Sequence, residues 1–502
     1  MKKISIIRIS IYVFIVLISS CSKNLLDKNP TDQLSSETFW KTETDVDMAL
    51  TGVYSVMTGR AAFNHGRMLW DGLSDIGYLK GSATLAEGTI ESTSGGLVSS
   101  IYNDSYVGIS RCNIFLANVD KAQMDEGNRT KYKAEVYFLR ASFYFTLTEF
   151  YGGVPLYTAP VTAEQATVKQ ATKDVVVTQI LKDLDSAIAG LPDSTYTDGH
   201  AVKASALAMK AKVLLHNQKW ADAAAAANQV ITSGKFQLYG DYKNLFLKPA
   251  QNNNPEIIFS VKFLLPDVPT PTTSDMNPDL IGAHAHTVSP MQNYVDSFEC
   301  TDGLPISQSP LYNASNPFNN RDPRLTFTVA DSAHWAVYAA GKGETGESWA
   351  TAYIVEKYVN WSNAPYSWAT RSDQDYIVLR YADVLLMYAE AQNEAVGPDQ
   401  SVYNAVNTVR ARPSVNMPPL PAGLDQTSMR ARIMNERAYE LGMEGYRYWD
   451  IKRWKTAETI MPMIVDPGGY RRKFDPSKNY LFPFSQSELD VNPNLVQNPG
   501  YN

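Results

Sequence analysis

Cysteine is scarce in this chain: three cysteines occur in 502 residues, at positions 21, 112 and 300. So few cysteines exclude a fold that a network of disulfides holds together. Cys112 and Cys300 lie far apart in the sequence, and an oxidising compartment would allow them to pair. Unpaired cysteines are, however, among the most frequently buried residues. We therefore predict that Cys112 and Cys300 are two buried thiols.

Positive charge is also in short supply. The 45 lysines and arginines are outnumbered by 52 aspartates and glutamates, which gives a formal net charge of −7. Nucleic-acid binding relies on basic surface patches. This charge balance therefore excludes a nucleic-acid partner.

The common catalytic and nucleotide-binding motifs are missing. The sequence contains no P-loop, no His-Glu-x-x-His and no Gly-x-Ser-x-Gly. Gly341, Gly343 and Gly346 have the spacing of a dinucleotide fingerprint, but that fingerprint needs a helix directly after it. The residues that follow are typical of strand and loop, so we interpret the three glycines as a flexible turn. We predict no cofactor.

Long apolar runs are absent beyond the first 20 residues. Residues 9–20 form a charge-free run behind three basic residues. This run is shorter than the roughly 20 apolar residues that a bilayer-spanning helix needs. A basic start followed by a short apolar run is typical of a secretory signal. We predict a signal peptide over residues 1–20.

The end of this leader indicates how the mature chain is attached to a membrane. Ser19 and Ser20 directly precede Cys21, and this arrangement resembles the bacterial lipoprotein box, in which the cysteine is acylated. The polar residues that follow predict a lipidated tether over 21–40. Losing the three basic residues of the leader would bring the formal net charge to −10.

Helical periodicity dominates residues 41–234. In the stretch 201–234, small residues recur along one face and a turn separates two helices of tetratricopeptide length. We predict similar pairs from 131–150 with 173–189, and from 376–395 with 401–412. One pair cannot bury its own apolar face, so several must stack. The predicted fold is mostly α, a degenerate tetratricopeptide-like helix-pair solenoid with a loop-rich, partly β insertion.

The insertion is predicted over residues 235–375, where Pro, Asn, Gly, Ser and Thr cluster and helical periodicity fades. Short apolar runs at 257–263 and 352–358 are typical of strands. Loops on a rigid scaffold often carry binding residues. The C-terminal part, 376–502, returns to helical patterning.

Several strings, most of them in the C-terminal part, carry a family resemblance. They are DPRL at 322–325, RYADVLLMYAEA at 380–391, ERAYELGMEGYR at 436–447, YLFPF at 480–484 and NPGY at 498–501. Together with YGGVPL at 151–156 they resemble the SusD/RagB family of nutrient-binding outer-membrane lipoproteins. The resemblance runs from Cys21 to Tyr501.

The resemblance implies four tetratricopeptide-like helix pairs and a lipoprotein that caps a SusC-like, TonB-dependent β-barrel transporter. It implies an outer-membrane location on the exterior face, a protein that binds without cleaving, and assembly as two lid–barrel pairs. Many relatives carry several acidic residues soon after the lipidated cysteine. Here Asp27 is the one acid in residues 22–27.

Aromatic residues with polar neighbours are the candidate ligand contacts. A sugar ring has an apolar C–H face and a rim of hydroxyls, so flat aromatic rings with polar neighbours suit it. The same rings can also pack loops onto a core. The candidates form one patch near residue 75 and a denser one in the insertion: Trp70, Asp75, Tyr78, Trp335, Trp349, Trp361, Asn363, Tyr366, Trp368 and Arg371.

Three glutamates form a cluster that could be mistaken for a catalytic carboxylate pair. Glu436, Glu440 and Glu444 share one helix face, and paired carboxylates serve glycosidases. We interpret them instead as structural partners of Arg437, Arg447 and neighbouring bases.

A metal site is not predicted either. His284 and His286 would share a strand face, but zinc needs three or four protein ligands. A calcium site built from loop oxygens stays open.

The predicted function is capture of an oligosaccharide and its delivery to the transporter. Three alternatives stay open. One is a RagB-like peptide-binding lipoprotein, the second is a surface glycoside hydrolase, and the third is a structural cap that leaves recognition to the barrel.

Overall fold

The computed structural model describes residues 39–59, 62–79, 88–270, 288–331, 351–360, 362 and 371–501. The α-helices are α1 Glu43–Gly59, α2 Leu97–Asn118, α3 Glu126–Tyr151, α4 Lys173–Gly190, α5 Lys203–His216, α6 Trp220–Thr232, α7 Gln292–Ser297, α8 Arg324–Thr328, α9 Tyr381–Val396, α10 Gln400–Arg410, α11 Gln426–Leu441, α12 Arg447–Arg453, α13 Ala457–Ile460 and α14 Gln486–Val491. The strands are β1 Gly77–Leu79, β2 Ile257–Val261, β3 Val288–Pro290, β4 Val329–Asp331, β5 Tyr353–Val355 and β6 Tyr376–Arg380.

The helices form a continuous stack that follows the order of the chain. Helices α1 to α6 each pack against the next, and α6 then packs against α9, which packs against α10 and α11. Small residues let α5 and α6 approach closely: Ala208 and Ala211 on α5 and Ala227 on α6 are fully buried. The predicted mostly α, tetratricopeptide-like solenoid is therefore confirmed, including the pairs α3–α4, α5–α6 and α9–α10.

One boundary in the predicted pairs is wrong. The sequence analysis placed 376–395 in a single helix, but Tyr376–Arg380 is strand β6, and the helix begins at Tyr381. The strand pairs antiparallel with β2, more than 100 residues earlier in the chain. The local apolar pattern does not indicate a pairing with a strand so far away in the sequence. The predicted strand at 257–263 is confirmed as β2, and the one at 352–358 contains β5.

The described chain has three two-stranded antiparallel sheets: β1 with β3, β2 with β6, and β4 with β5. Strands β3 and β5 also contact each other, so the first and third sheets are neighbours. All five residues of β2 are buried, because this strand lies between α5 and the C-terminal elements. The strands of the insertion are thereby tied to the helical stack.

Buried charges form a cluster that we call the ionic core. Its carboxylates are Glu256, Glu299, Asp322, Glu436, Glu440 and Glu444, and its cations are Arg324, Lys357, Arg380, Arg410 and Arg412. Glu440 is fully buried and accepts hydrogen bonds from Arg324 (3.0 Å), Arg380 (2.7 Å) and Arg412 (2.6 Å). These arginines hold the pKa of Glu440 well below its usual range, although burial opposes the shift.

The ionic core confirms that Glu436, Glu440 and Glu444 pair with basic side chains. The predicted partners are wrong, and Glu444 lies beyond the end of α11 at Leu441 instead of on the same helix face. Arg437 pairs with Asp383 and Asp450, and Arg447 pairs with Asp75. Arg437 follows Glu436 directly, which turns it about 100° around the helix and onto another face.

Cys112 and Cys300 are both buried, unpaired thiols, as predicted. Across the ranges that the structure describes, no helix combines the length and apolar character that crossing a membrane requires. The predicted signal peptide 1–20, Cys21 and nearly all of the tether lie outside these ranges.

Candidate ligand-binding site

Described residues next to several of the candidate ligand contacts come together at two places. The first is the edge shared by β1, β3 and β5. There Leu79 pairs with Val288 and Tyr78 with Ser289. The Thr351 hydroxyl donates a hydrogen bond to the Pro290 carbonyl at 2.8 Å, which ties the segment that leads into β5 to β3. Residues 79, 288 and 351, each next to a stretch outside the described ranges, therefore lie together.

The second meeting point joins residue 270 to residues 371–374. The Thr270 amide donates to the Ser372 carbonyl at 2.8 Å, and the Thr270 hydroxyl donates to the Gln374 carbonyl. Gln374 in turn donates through its side-chain amide to the Tyr358 carbonyl at 2.8 Å. The chain on both sides of residues 361–370 is thus held by one hydrogen-bonded network.

Strand β1 is positioned by residues near the C-terminal end of the chain. The buried carboxylate of Asp71 accepts the amide N–H groups of Gly445 and Arg447, both at 2.8 Å. Arg447 then forms a two-pronged pair with Asp75, with both N–O distances 2.8 Å. Burial nevertheless raises the pKa of Asp71 to about 7. These contacts fix the turn that leads into β1.

Two further features hold the turn before β1 in place. Gly445 has a φ of 88°, and a Cβ atom there would collide with the Arg67 carbonyl, so the amide can reach Asp71 only from a glycine. Arg472 is buried and donates to the carbonyls of Ser74 and Gly77. No sequence pattern pointed to the role of Arg472.

Lys357 anchors the segment that leads out of β5. Its ammonium is fully buried and donates to the carbonyls of Glu440 (3.2 Å) and Gly442 (2.8 Å) and to the Glu444 carboxylate (2.9 Å). Burial lowers its pKa to about 8, although Glu444 favours the charged form. Residues 358–360 therefore start from a fixed point on the ionic core.

The predicted ligand contacts fall into three groups. Trp70 and Asp75 are buried, and Tyr78 is half-buried on β1. Arg371 is exposed at the second meeting point. The remaining candidates lie outside the described residues: Trp335, Trp349, Trp361, Asn363, Tyr366 and Trp368. His284, His286 and the glycines at 341, 343 and 346 lie outside them as well.

Trp70 is part of an aromatic cluster in the core. Its ring packs against Phe150, Trp449 and Phe482 at centroid distances of 4.7, 5.7 and 5.8 Å, and 2% of Trp70 is exposed. Asp75 is engaged by Arg447. In this structure Trp70 and Asp75 therefore serve packing and ion pairing, and Tyr78 is the accessible member of that patch.

Three other tryptophans have structural roles: Trp220, Trp449 and Trp454. Trp449 is buried in the same aromatic cluster. Trp454 donates its indole N–H to Glu390 at 2.8 Å, and Trp220 packs partly buried against the core at the start of α6.

Comparison with known proteins matches nearly the whole chain. A family model described as the SusD family matches residues 255–501, and one described as starch-binding associating with outer membrane matches residues 24–215. SusD-like protein P2 of Formosa agariphila is 28% identical, over 98% of this chain and 99% of that protein.

Solved structures show the same architecture. A SusD-like carbohydrate-binding protein from Bacteroides fragilis has a TM-score of 0.80 at 26% identity, covering 91% of this chain and all of that one. A laminarin-binding SusD-like protein has a TM-score of 0.74 at 25% identity, covering 92% of this chain and all of that one. With both halves matched by family models and the helical solenoid shared, this chain belongs to the SusD/RagB family.

Proposed function

We propose that this protein captures an oligosaccharide at the cell surface and delivers it to a SusC-like, TonB-dependent β-barrel transporter. Rings in the insertion, such as Trp361 and Trp368, would stack on the sugar. Asn363 and Arg371 would orient its hydroxyls.

The observation that carries this proposal is that described residues next to the candidate ligand contacts converge at two places. Leu79, Val288 and Thr351 meet at one edge, and Thr270 meets Ser372 at the other. The ionic core and the residues around Asp71 hold both places on rigid elements. A preformed support lowers the entropic cost of ordering a ligand contact.

The relatives favour sugar over other ligands. One solved structure is described as carbohydrate-binding and another as laminarin-binding, and one family model is described as starch-binding. We propose that Cys21 carries lipid and anchors the mature chain to the outer membrane, facing the exterior. Stable anchoring by lipid needs more than one chain, which a triacylated cysteine would supply.

We also propose that the protein is not an enzyme. The three glutamates that suggested a glycosidase all form ion pairs within the ionic core, and Glu440 alone accepts hydrogen bonds from three arginines. A general acid in a glycosidase needs a raised pKa, whereas that of Glu440 is lowered.

Binding measured on panels of neutral oligosaccharides and of peptides tests the ligand class. The full chain, purified in detergent, is screened by thermal shift and each hit is titrated by calorimetry. The proposal expects saturable binding of at least one glycan and no stabilisation by peptides. Stabilisation by peptides alone would replace it with the RagB-like alternative.

A further inference from the structure

A cleft of about 670 Å³ lies on the helical half of the protein, among elements that form neither of the two meeting points described above. Its walls are the outward face of α2, the segment 157–167 and helix α14. Its volume falls within the range of small-molecule sites, about 300–1,000 Å³.

Tyrosine rings form one wall of the cleft. The Tyr102 and Tyr106 rings have centroids 4.7 Å apart, and Tyr157 lies 5.8 Å beyond Tyr106. Tyr102 is largely buried, while Tyr106 and Tyr157 are half-buried and present part of their surface to the cleft. Tyr106 and Tyr157 therefore give the cleft an accessible aromatic surface, and Tyr102 packs against Tyr106 beside it.

This surface is preorganised by hydrogen bonds behind it. Tyr106 donates its hydroxyl to the Pro155 carbonyl at 2.6 Å, and Tyr157 donates to the Ala166 carbonyl at 2.5 Å. The buried side chain of Asn113 donates to the carbonyls of Tyr157 and Ala159 and accepts from Arg140. The rings and the 157–167 wall are therefore fixed before any ligand arrives.

One carboxylate in the cleft has no partner in the described part of the chain. Glu488 lies in the first turn of α14, half-buried, and lines the cleft. No described side chain or amide donates a hydrogen bond to its carboxylate, whereas the nearby Arg111 is already engaged with Gly52 and Ser55. Burial raises the pKa of Glu488, which is the cost of holding an unpaired carboxylate beside aromatic rings.

An aromatic wall beside an unpaired acceptor suits a disc-shaped molecule with an apolar face and hydroxyl donors on its rim. We propose that this cleft is a second carbohydrate subsite, which binds an uncharged pyranose unit against Tyr106 and Tyr157 while Glu488 accepts its hydroxyls. The negative charge of Glu488 disfavours uronate and sulfated sugars, because like charges repel at short range. This inference rests on the proposed glycan-binding function and adds a site and a ligand class to it.

The test uses the full chain in detergent and four probes: neutral hexasaccharides of glucose, galactose, mannose and xylose. Glu488→Gln keeps the shape of the side chain and removes its charge. Ala163→Arg fills the mouth of the cleft from an exposed position and leaves the core intact. Asp490→Asn is the matched control, an exposed acid on the same helix.

We expect a probe that binds the wild type to lose about 10-fold in affinity in Glu488→Gln, the scale of one hydrogen bond to a charged group. A similar loss is expected in Ala163→Arg, and none in Asp490→Asn. Should Ala163→Arg misfold, Glu488→Gln alone decides the matter.

The failure of this inference is separable from that of the proposed function. Binding that Trp361→Ala and Trp368→Ala abolish, but both cleft variants leave unchanged, overturns the subsite and keeps the function. No binding of any probe to the wild type overturns both. Loss of binding in the cleft variants alone supports the subsite and moves the glycan site to the helical half.

Discussion

Glu440 offers the sharpest test of the ionic core. Its buried carboxylate accepts hydrogen bonds from Arg324, Arg380 and Arg412. Glu440→Gln keeps the size of the side chain but leaves three guanidinium groups short of one negative charge. Removing one partner from a buried ion pair typically costs about 3–5 kcal/mol. We expect a loss of this size in the free energy of unfolding.

This loss translates into a modest shift in melting temperature because the chain is long. Unfolding entropy is about 2.1 cal/mol/K per residue, or about 1 kcal/mol/K for 502 residues. The melting temperature of Glu440→Gln should therefore fall by about 3–5 °C in differential scanning calorimetry. Glu126→Gln is the control: its carboxylate is 81% exposed and pairs with Arg129, and exposed pairs contribute little.

The pH dependence gives a second check on the same variant. A carboxyl group with a lowered folded-state pKa stabilises the protein above its unfolded pKa, about 4.3, and loses that contribution as the pH falls further. The gap between wild type and Glu440→Gln should be constant from pH 8 to pH 5 and shrink below pH 4.3. A melting temperature that falls no more than that of Glu126→Gln would refute the reasoning.

Three other substitutions test neighbouring claims. His65 is fully buried with no described hydrogen-bond partner for either ring nitrogen, and burial lowers its pKa to about 3. His65→Leu should raise the free energy of unfolding by about 1–3 kcal/mol and lose less stability than the wild type as the pH falls from 6.5 toward 3. A destabilised variant in urea denaturation would contradict this. Lys452 is buried against aromatic rings without a described hydrogen-bond acceptor, and burial lowers its pKa to about 7. The free energy of unfolding of the wild type should therefore rise between pH 7 and 10 by up to about 1.4 kcal/mol per pH unit more than that of Lys452→Met. Equal slopes for the two proteins would contradict this prediction. Arg447→Met breaks the pair with Asp75 and should speed amide hydrogen exchange of Gly77–Leu79 about 10-fold or more while β2 is unaffected; unchanged exchange would show that Arg447 does not fix the turn before β1.

Helical periodicity was enough to predict most of the fold. The pairs α3–α4 and α5–α6 follow from apolar and small residues that recur on one face, a signal that lies within each segment. Strand β6 was missed because its five residues run directly into α9 and share its apolar character. Its identity depends on pairing with β2, which no local pattern contains.

Charge partners and ring exposure were less predictable, for a related reason. The spacing of Glu436, Glu440 and Glu444 predicted one shared helix face, but α11 ends before Glu444. Arg324 and Arg380 reach the glutamates from distant segments. Trp70 looked like part of a surface patch because Asp71 and Asp75 flank it. Asp71 instead accepts hydrogen bonds from the amides of Gly445 and Arg447, and Asp75 pairs with the Arg447 guanidinium. The tryptophan itself lies in the core.

The tyrosine cleft had a faint signal in the sequence. Tyr102 and Tyr106 are four residues apart and so share a helix face, but neither was among the predicted ligand contacts. The contribution of Tyr157 and Glu488 depends on how residues 157–167 and α14 fold back over α2.

The central claim is that rings in the insertion hold a glycan, and calorimetry on tryptophan variants tests it most directly. An oligosaccharide that binds the full chain is titrated into wild type, Trp361→Ala, Trp368→Ala and, as a control, Trp220→Ala on the helical stack. The account predicts loss of affinity of about 10-fold or more in the first two variants and none in the control. Equal affinity in all four proteins would contradict it.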